Sequence, residues 1–306
     1  MFVASRPMAS TIKGLFTSSP AQLIINADDF GYFEGVSRGI LQAAKCGAIT
    51  ATGVLTNSPR WNAEAEVLRT IADIDVGVHL TLTSGRPVTN ALPNIVEKTT
   101  GRFRFGKLGI MSSLITGRMS PEAVGVEWDA QISRCEKAGI PPVFLNSHEH
   151  IHMFPPLLSV VRRLAQKHQI EWIRWSSPEW LGEGSISAWM RNASLQIFTW
   201  VNARPKTLPV PRLIGLRCSG RLNLHWLRKR LANLEPGAAY ELMCHPGVSV
   251  HSEEISKRLR RYHDWDGELE GLCEAKRLGL FESPTIRLAR FRDLSCRAGV
   301  VNQINS

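Results

Sequence analysis

Short apolar runs alternate with longer amphipathic ones along this chain, and the two periodicities predict different elements. AQLIINA (21–27) has the unbroken apolar character of a strand buried on both faces, and EGVSRGILQAAKCG (34–47) has helical spacing closed by a glycine. The alternation then repeats, with a strand at 49–55, a helix at 62–72, a strand at 75–82, a helix at 121–139 and a strand at 141–147. A helix at 155–168 opens on Pro155 and Pro156, which suit a first helical turn, and IEWIRW (170–175) reads as the next strand. A helix at 222–233, a strand at 238–244, a helix near 265–279 and a strand around 285–289 complete the series. Residues 84–119 interrupt it with Gly, Pro and a hairpin-like GRFRFGK piece.

Roughly eight β-α steps connected in sequence predict an α/β fold, a distorted (β/α) barrel of parallel strands in a single domain. The expected organisation is a flexible extension over 1–20, the barrel over 21–294 with a Trp-rich insertion at 172–210, and a tail at 295–306. With 306 residues and 43% hydrophobic content the chain can bury a sizeable core. It has no apolar run long enough to span a bilayer. The basic, Ser/Thr-containing first twenty residues lack the apolar stretch of a secretory signal, which favours a cytoplasmic location. Six scattered cysteines without C-x-x-C spacing predict reduced, mostly buried thiols.

The net charge of +10 is concentrated late, in LRKR (227–230) and KRLRR (257–261). No nucleic-acid-binding signature accompanies it, so nucleic acid is not expected as a partner, and peripheral contact with an anionic membrane surface is the alternative. Five of the nine tryptophans fall between 172 and 200, and 185–206 has the pattern of a helix with an apolar face and a basic end. Indoles serve a core, a sugar face or a membrane interface, and these uses remain open. The sequence is compatible with a homo-oligomer.

Polar residues gather where strands end. The first strand runs into NADDFG (26–31), the third into His79, another into NSHEHIH (146–152), and a late one into CHPG (244–247) with His245. In a β/α barrel the carboxyl ends of strands converge on one face, so these groups should meet in space. HEHIH (148–152) satisfies the letters of the zinc-protease motif H-E-x-x-H, but that motif requires a helix. Here a strand precedes the segment and two prolines follow it. On an extended segment His148 and His152 would lie about 13 Å apart at ~3.3 Å per residue, too far to share one metal. One histidine can still be a ligand while the others support it. Two adjacent carboxylates, Asp28 and Asp29, suggest that one holds a cation and the other acts as base.

At these residues the sequence resembles the YdjC family of carbohydrate deacetylases, through LIINADDFG (23–31), GVHLTLTSGRP (77–87), LNSHEHIHMFP (145–155) and ELMCHPG (241–247). The resemblance implies a distorted barrel that removes acetyl groups from N-acetylated amino sugars, as free oligosaccharide, glycan or glycolipid, with a divalent cation. It implies Asp29, His79 and His148 as metal ligands, Asp28 as base and His245 as acid. His150, His152 and Arg86 are expected near substrate or behind the ligands. Mg or Zn is the expected ion, with Mn, Co and Ni as alternatives. Many family members carry Asp where this chain has Asn146 and His where it has Glu149. Two other readings stay open: a metal-dependent amidohydrolase acting on a non-carbohydrate amide, and a non-catalytic sugar-binding protein on the same scaffold.

Overall fold

The computed structural model of the protein describes residues 19–71, 73–179, 186–202, 210–250 and 255–294. Most of the expected N-terminal extension and the tail after 294 lie outside these residues. In chain order the elements are β1 Ala21–Phe30, α1 Glu34–Lys45, β2 Ala51–Val54, α2 Trp61–Arg69, β3 Asp75–Leu80, α3 Lys107–Ile115, α4 Pro121–Lys137 and β4 Phe144–Ser147. They continue with α5 Pro155–Lys167, β5 Trp172–Ile173, α6 Ile186–Val201, β6 Arg212–Ile214, α7 Leu224–Leu231, β7 Ala239–Cys244, α8 Lys257–Tyr262, α9 Trp265–Arg277 and β8 Ile286–Leu288.

The eight strands form one sheet, all parallel, in the order β5-β4-β3-β2-β1-β7-β6, with β8 beside the first residues of β1. β5 and β6 do not pair with one another among the described residues. The sheet nevertheless curls, because Arg174, just past β5, bonds Glu241 on β7 and Asp28 on β1. The result is the distorted barrel that the alternation of elements predicts.

Alternation along each strand sorts the side chains into two populations. Leu23, Ile25 and Ala27 of β1, Val76, Val78 and Leu80 of β3 and Leu145 of β4 join the main core, which also holds Val36 and Ile40 of α1 and Leu272 of α9. The intervening residues fill the interior. At its base Ile24, Ala51, Phe144, Trp172 and Phe291 pack together, with Phe144 and Phe291 stacked. One step toward the carboxyl ends, the interior positions become Asn26, Asn146, Arg174 and Glu241, all buried. A further step reaches Asp28 and His79. The interior thus changes from hydrocarbon to buried charge within two residues of each strand.

Helix boundaries follow local chemistry. Ser120 accepts from the Ala123 amide with Pro121 behind it, and Asp264 accepts from the Gly267 amide at the start of α9. Gly39 of α1 lies so close to Gly247 that a β-carbon on it would sit 2.2 Å from the Gly247 Cα. Only glycine lets α1 press onto the loop that follows β7.

Four expectations need correction. Cys46 and Cys273 form a disulfide, because the end of α1 packs against α9 and brings their Cα atoms to 6.2 Å. The partners are 227 residues apart, so spacing gives no hint of them. Cys135 and Cys244 are buried free thiols, as expected. The irregular stretch 84–119 contains α3 beside its small hairpin, where Val96 bridges Phe103. β6, Arg212–Ile214, is a strand between the Trp-rich stretch and the helix after it, where no element is expected. HEHIH is not extended: it is a kinked turn in which Glu149 (φ 56°) and His150 (φ 55°) adopt left-handed backbone conformations.

Candidate active site

β4, β3, β1 and β7, with β2 between β3 and β1, end at the same edge of the sheet, and each delivers a polar residue there. His79 pairs in register with Asn146, and Ala27 with Cys244, so Asp28 and His245 follow on adjacent strands. Asp29, near the end of β1, has φ 72° where the pairing with β2 shifts register between Ala27 and Phe30.

Asp29, His79 and His148 each bring a ligand atom within 4.8 Å of the others, a cluster that can hold a metal ion. The Asp29 carboxylate lies 3.2 Å from His79 Nε2 and 3.0 Å from His148 Nδ1. Burial pushes the Asp29 pKa up, but the two imidazoles reverse this and hold it well below the usual carboxylate value. Burial pulls His148 down, yet Asp29 beside it raises its pKa to about 9. In the absence of any other cation, a proton on His148 balances the buried carboxylate.

Asn146 fixes the ring of His79. Its amide donates to Asp28 Oδ1 at 2.8 Å, so its carbonyl oxygen faces His79 Nδ1 at 2.7 Å. A carbonyl only accepts, so Nδ1 carries a hydrogen, and Nε2 is the nitrogen turned toward Asp29. Gly53 of β2 leaves room for this arrangement, since a β-carbon there would lie 3.0 Å from Asp28 Oδ1.

Asp28 is only 1% exposed. It accepts from Asn26, Asn146 and both terminal nitrogens of Arg174. Desolvation works against its charge, but Arg174 outweighs it and the carboxyl pKa falls below its ordinary value. Arg174 also bonds Glu241, which takes a further hydrogen from Asn26. Asp28, Arg174 and Glu241 therefore form a buried acid–base–acid row. Sequence reading missed Arg174 and Glu241. The signal was a charge inside each of two strand-like runs, Arg174 in 170–175 and Glu241 in 238–244, since a charge buried in a parallel sheet requires a partner.

His245 lies at the end of β7, and its Nδ1 is buried without a hydrogen-bond partner among the described residues. Burial lowers its pKa despite the nearby Asp29 and Asp28, so it is neutral. Its amide donates to Glu268 of α9 at 2.6 Å, and its ring meets His263 edge-on at 5.2 Å. Glu268 is itself fully buried, and desolvation lifts its pKa to about 8.

The remaining expected residues separate from the cluster. His152 Nε2 lies 2.9 Å from the Arg174 carbonyl and must donate to it, leaving Nδ1 to accept from Ser147. With its pKa lowered to about 4, chiefly by burial, it is a neutral brace under Arg174. His150 bonds Ser176 in the same neutral form. Arg86 is exposed, and its carbonyl accepts from Asn57. Glu149 is exposed and accepts from the Lys107 amide. Tyr32, not singled out from sequence, lies against His148 with ring centres 5.1 Å apart.

Comparison with known proteins agrees with this architecture. A carbohydrate deacetylase of Halalkalibacterium halodurans is 40% identical over 149 residues, covering 49% of this chain and 62% of that protein. The chain thus spans about three fifths of that relative's length. A mouse (Mus musculus) carbohydrate deacetylase is 31% identical over 245 residues, 74% of this chain and 78% of that protein. A solved structure from Enterococcus faecalis, described as a candidate cellobiose-phosphate cleavage protein, aligns with a TM-score of 0.63 at 27% identity over 90% of this chain and 100% of its own. The family model described as YdjC-like protein matches residues 22–282, and on that match the chain belongs to the YdjC-like family.

Proposed function

We propose that the protein is a metal-dependent hydrolase that removes the N-acetyl group of an N-acetylated amino sugar and releases acetate. The observation that carries this reading is the Asp29–His79–His148 cluster with the ionised Asp28 beside it. The sugar is inferred from relatives described as carbohydrate and chitooligosaccharide deacetylases.

The residues fit a divalent ion. His79 turns Nε2 toward Asp29 with its Nδ1 held by Asn146, Asp29 is an anion, and His148 needs only to give up its proton. An ion bound there supplies Lewis acidity toward an acyl oxygen and a water. Of the two expected ions, a donor set of two imidazoles and one carboxylate suits zinc better than magnesium, with Mn, Co and Ni as the alternatives.

Asp28 receives the proton of the attacking water as the new C–O bond forms. A carboxylate held by Arg174 and two amides is a weak base, so its contribution is to accept that proton at a fixed place. The C–N bond then breaks as the His245 ring, neutral at rest, takes up a solvent proton and passes it to the departing nitrogen, while Asp28 returns the water's proton to solvent. The lowered pKa of His245 makes the protonated ring a strong acid. An amine leaves poorly without that proton.

The test is an acetate-release screen over N-acetylglucosamine oligomers, nucleotide sugars and glycolipids, with and without chelator. Chelator-sensitive release from at least one sugar is expected, and His245→Ala should lower it about 100-fold or more with metal content unchanged. Release from simple non-sugar acetamides alone would instead identify an amidohydrolase of other amides. Saturable sugar binding without any acetate would leave a binding protein.

A further inference from the structure

Helix α6 turns its apolar face outward. Trp189, Met190, Ile197, Trp200 and Val201 are 59%, 61%, 56%, 78% and 64% exposed. At about 100° per residue these five and Ala193 fall within an arc of roughly 120°, and no polar residue of 189–201 shares it. The opposite side carries Asn192 and Leu195, both buried. Elsewhere among the described residues, exposed large apolar side chains are scattered. A stripe this continuous marks a contact surface.

The helix is firmly attached. Asn192 exchanges two hydrogen bonds with the Glu179 backbone, Asn202 donates to the Met153 carbonyl, and Phe198 meets Phe154 edge-on. Arg191 donates to the Tyr262 hydroxyl at the end of α8 and to the Leu216 carbonyl. α8 has the sequence KRLRRY, with Lys257, Arg258 and Arg261 exposed and no acid. Arg230 of α7 pairs with Glu179, the residue Asn192 holds, and Arg228 and Lys229 beside it are exposed. Two basic helices thus lie beside α6, joined to it through Arg191 and Asn192, and its apolar stripe carries an indole near each end.

We propose that this face docks the protein on an anionic lipid bilayer, with α6 lying in the plane of the interface and α7 and α8 against the headgroup phosphates. Indoles and a Met/Ile/Val stripe suit the acyl boundary, and flanking Lys and Arg suit anionic lipid. A protein carrying a net charge of +10 is drawn toward such a surface from solution. No helix among the described residues is long and apolar enough to cross a membrane, so the contact is peripheral. The inner side of α6 rests on the turn after His148, so docking would hold the polar strand ends close to the headgroups. This surface stands independently of the deacetylase reading.

Co-sedimentation with phosphatidylcholine vesicles, with and without phosphatidylglycerol, tests it. The protein should bind only the phosphatidylglycerol vesicles, and lose them at high salt. Trp189→Ser/Trp200→Ser and Lys257→Glu/Arg258→Glu should each weaken binding about tenfold or more, with unchanged thermal melting because all four side chains are exposed. A wild-type protein that stays in the supernatant at low salt overturns the proposal. So does binding undiminished by the tryptophan pair. Self-association that the tryptophan pair abolishes, without vesicle binding, would assign the face to a second copy of the chain.

Discussion

The Asp28 and Asp29 sides of the site are neighbours in sequence, equally buried, and neutralised in opposite ways. On the Asp28 side a permanent cation, Arg174, is built into the interior, and amides occupy what the guanidinium leaves. On the Asp29 side there are only two imidazoles, whose charge depends on a proton. The first arrangement fixes a negative charge permanently. The second is a place where one mobile cation, proton or metal, is required and exchange between them is easy.

The largest break in this comparison comes from the exchangeable side. Asp29→Asn or His148→Ala should abolish metal uptake by elemental analysis and, with it, acetate release; metal retained at wild-type stoichiometry would disprove the assignment. Asp28→Asn tests the fixed side: metal content should persist while turnover falls about 10²–10⁴-fold. Arg174→Met removes the built-in cation and strands two buried carboxylates, so urea denaturation should report a loss of about 3–5 kcal/mol. An unchanged midpoint would mean that Asp28 and Glu241 are neutral without it.

A gentler probe is pH. His148 is raised to about 9 from an ordinary 6.5, so its contribution to stability is complete below 6.5 and is lost as pH rises through 9. Glu268, raised to about 8 from 4.5, acts in the same direction: the unfolded carboxyl ionises first, and stability falls between 4.5 and 8. Chelated protein should therefore melt several degrees lower at the alkaline end. Glu268→Gln should flatten the part of that slope below 8, and an unaltered slope would show that Glu268 is ionised when folded. Smallest of all, Glu149→Gln should leave activity within about twofold, because the side chain is exposed and tied to the Lys107 amide rather than to the cluster.

These contrasts also explain what was legible beforehand. Strand and helix order could be read because period two and period 3.6 differ over even short windows. That Asp28–Asp29, His79 and the HEHIH segment gather on one face could be read because barrel strand ends converge, whereas the choice of Asp29, His79 and His148 came from the family resemblance. Arg174 and Glu241 could not be paired, since their partnership depends on how far the sheet curls, which no local pattern records. The turn at Glu149 and His150 was hidden for a related reason: left-handed backbone in residues other than glycine is imposed by the Ser147, Ser176 and Arg174 contacts around it. Of the five clustered tryptophans, Trp172 and Trp175 are core, Trp189 and Trp200 are surface, and Trp180 lies outside the described residues, so density alone could not assign them one role.

The Cys46–Cys273 bond has a consequence for covalent topology. It closes everything between the two residues into a ring that contains His79, His148 and His245, while Asp28 and Asp29 sit on the arm before it. A single protease cut anywhere in that ring, including the surface stretch around α3, leaves one covalently connected molecule. Nicked and intact protein would co-migrate on a denaturing gel until a reductant is added.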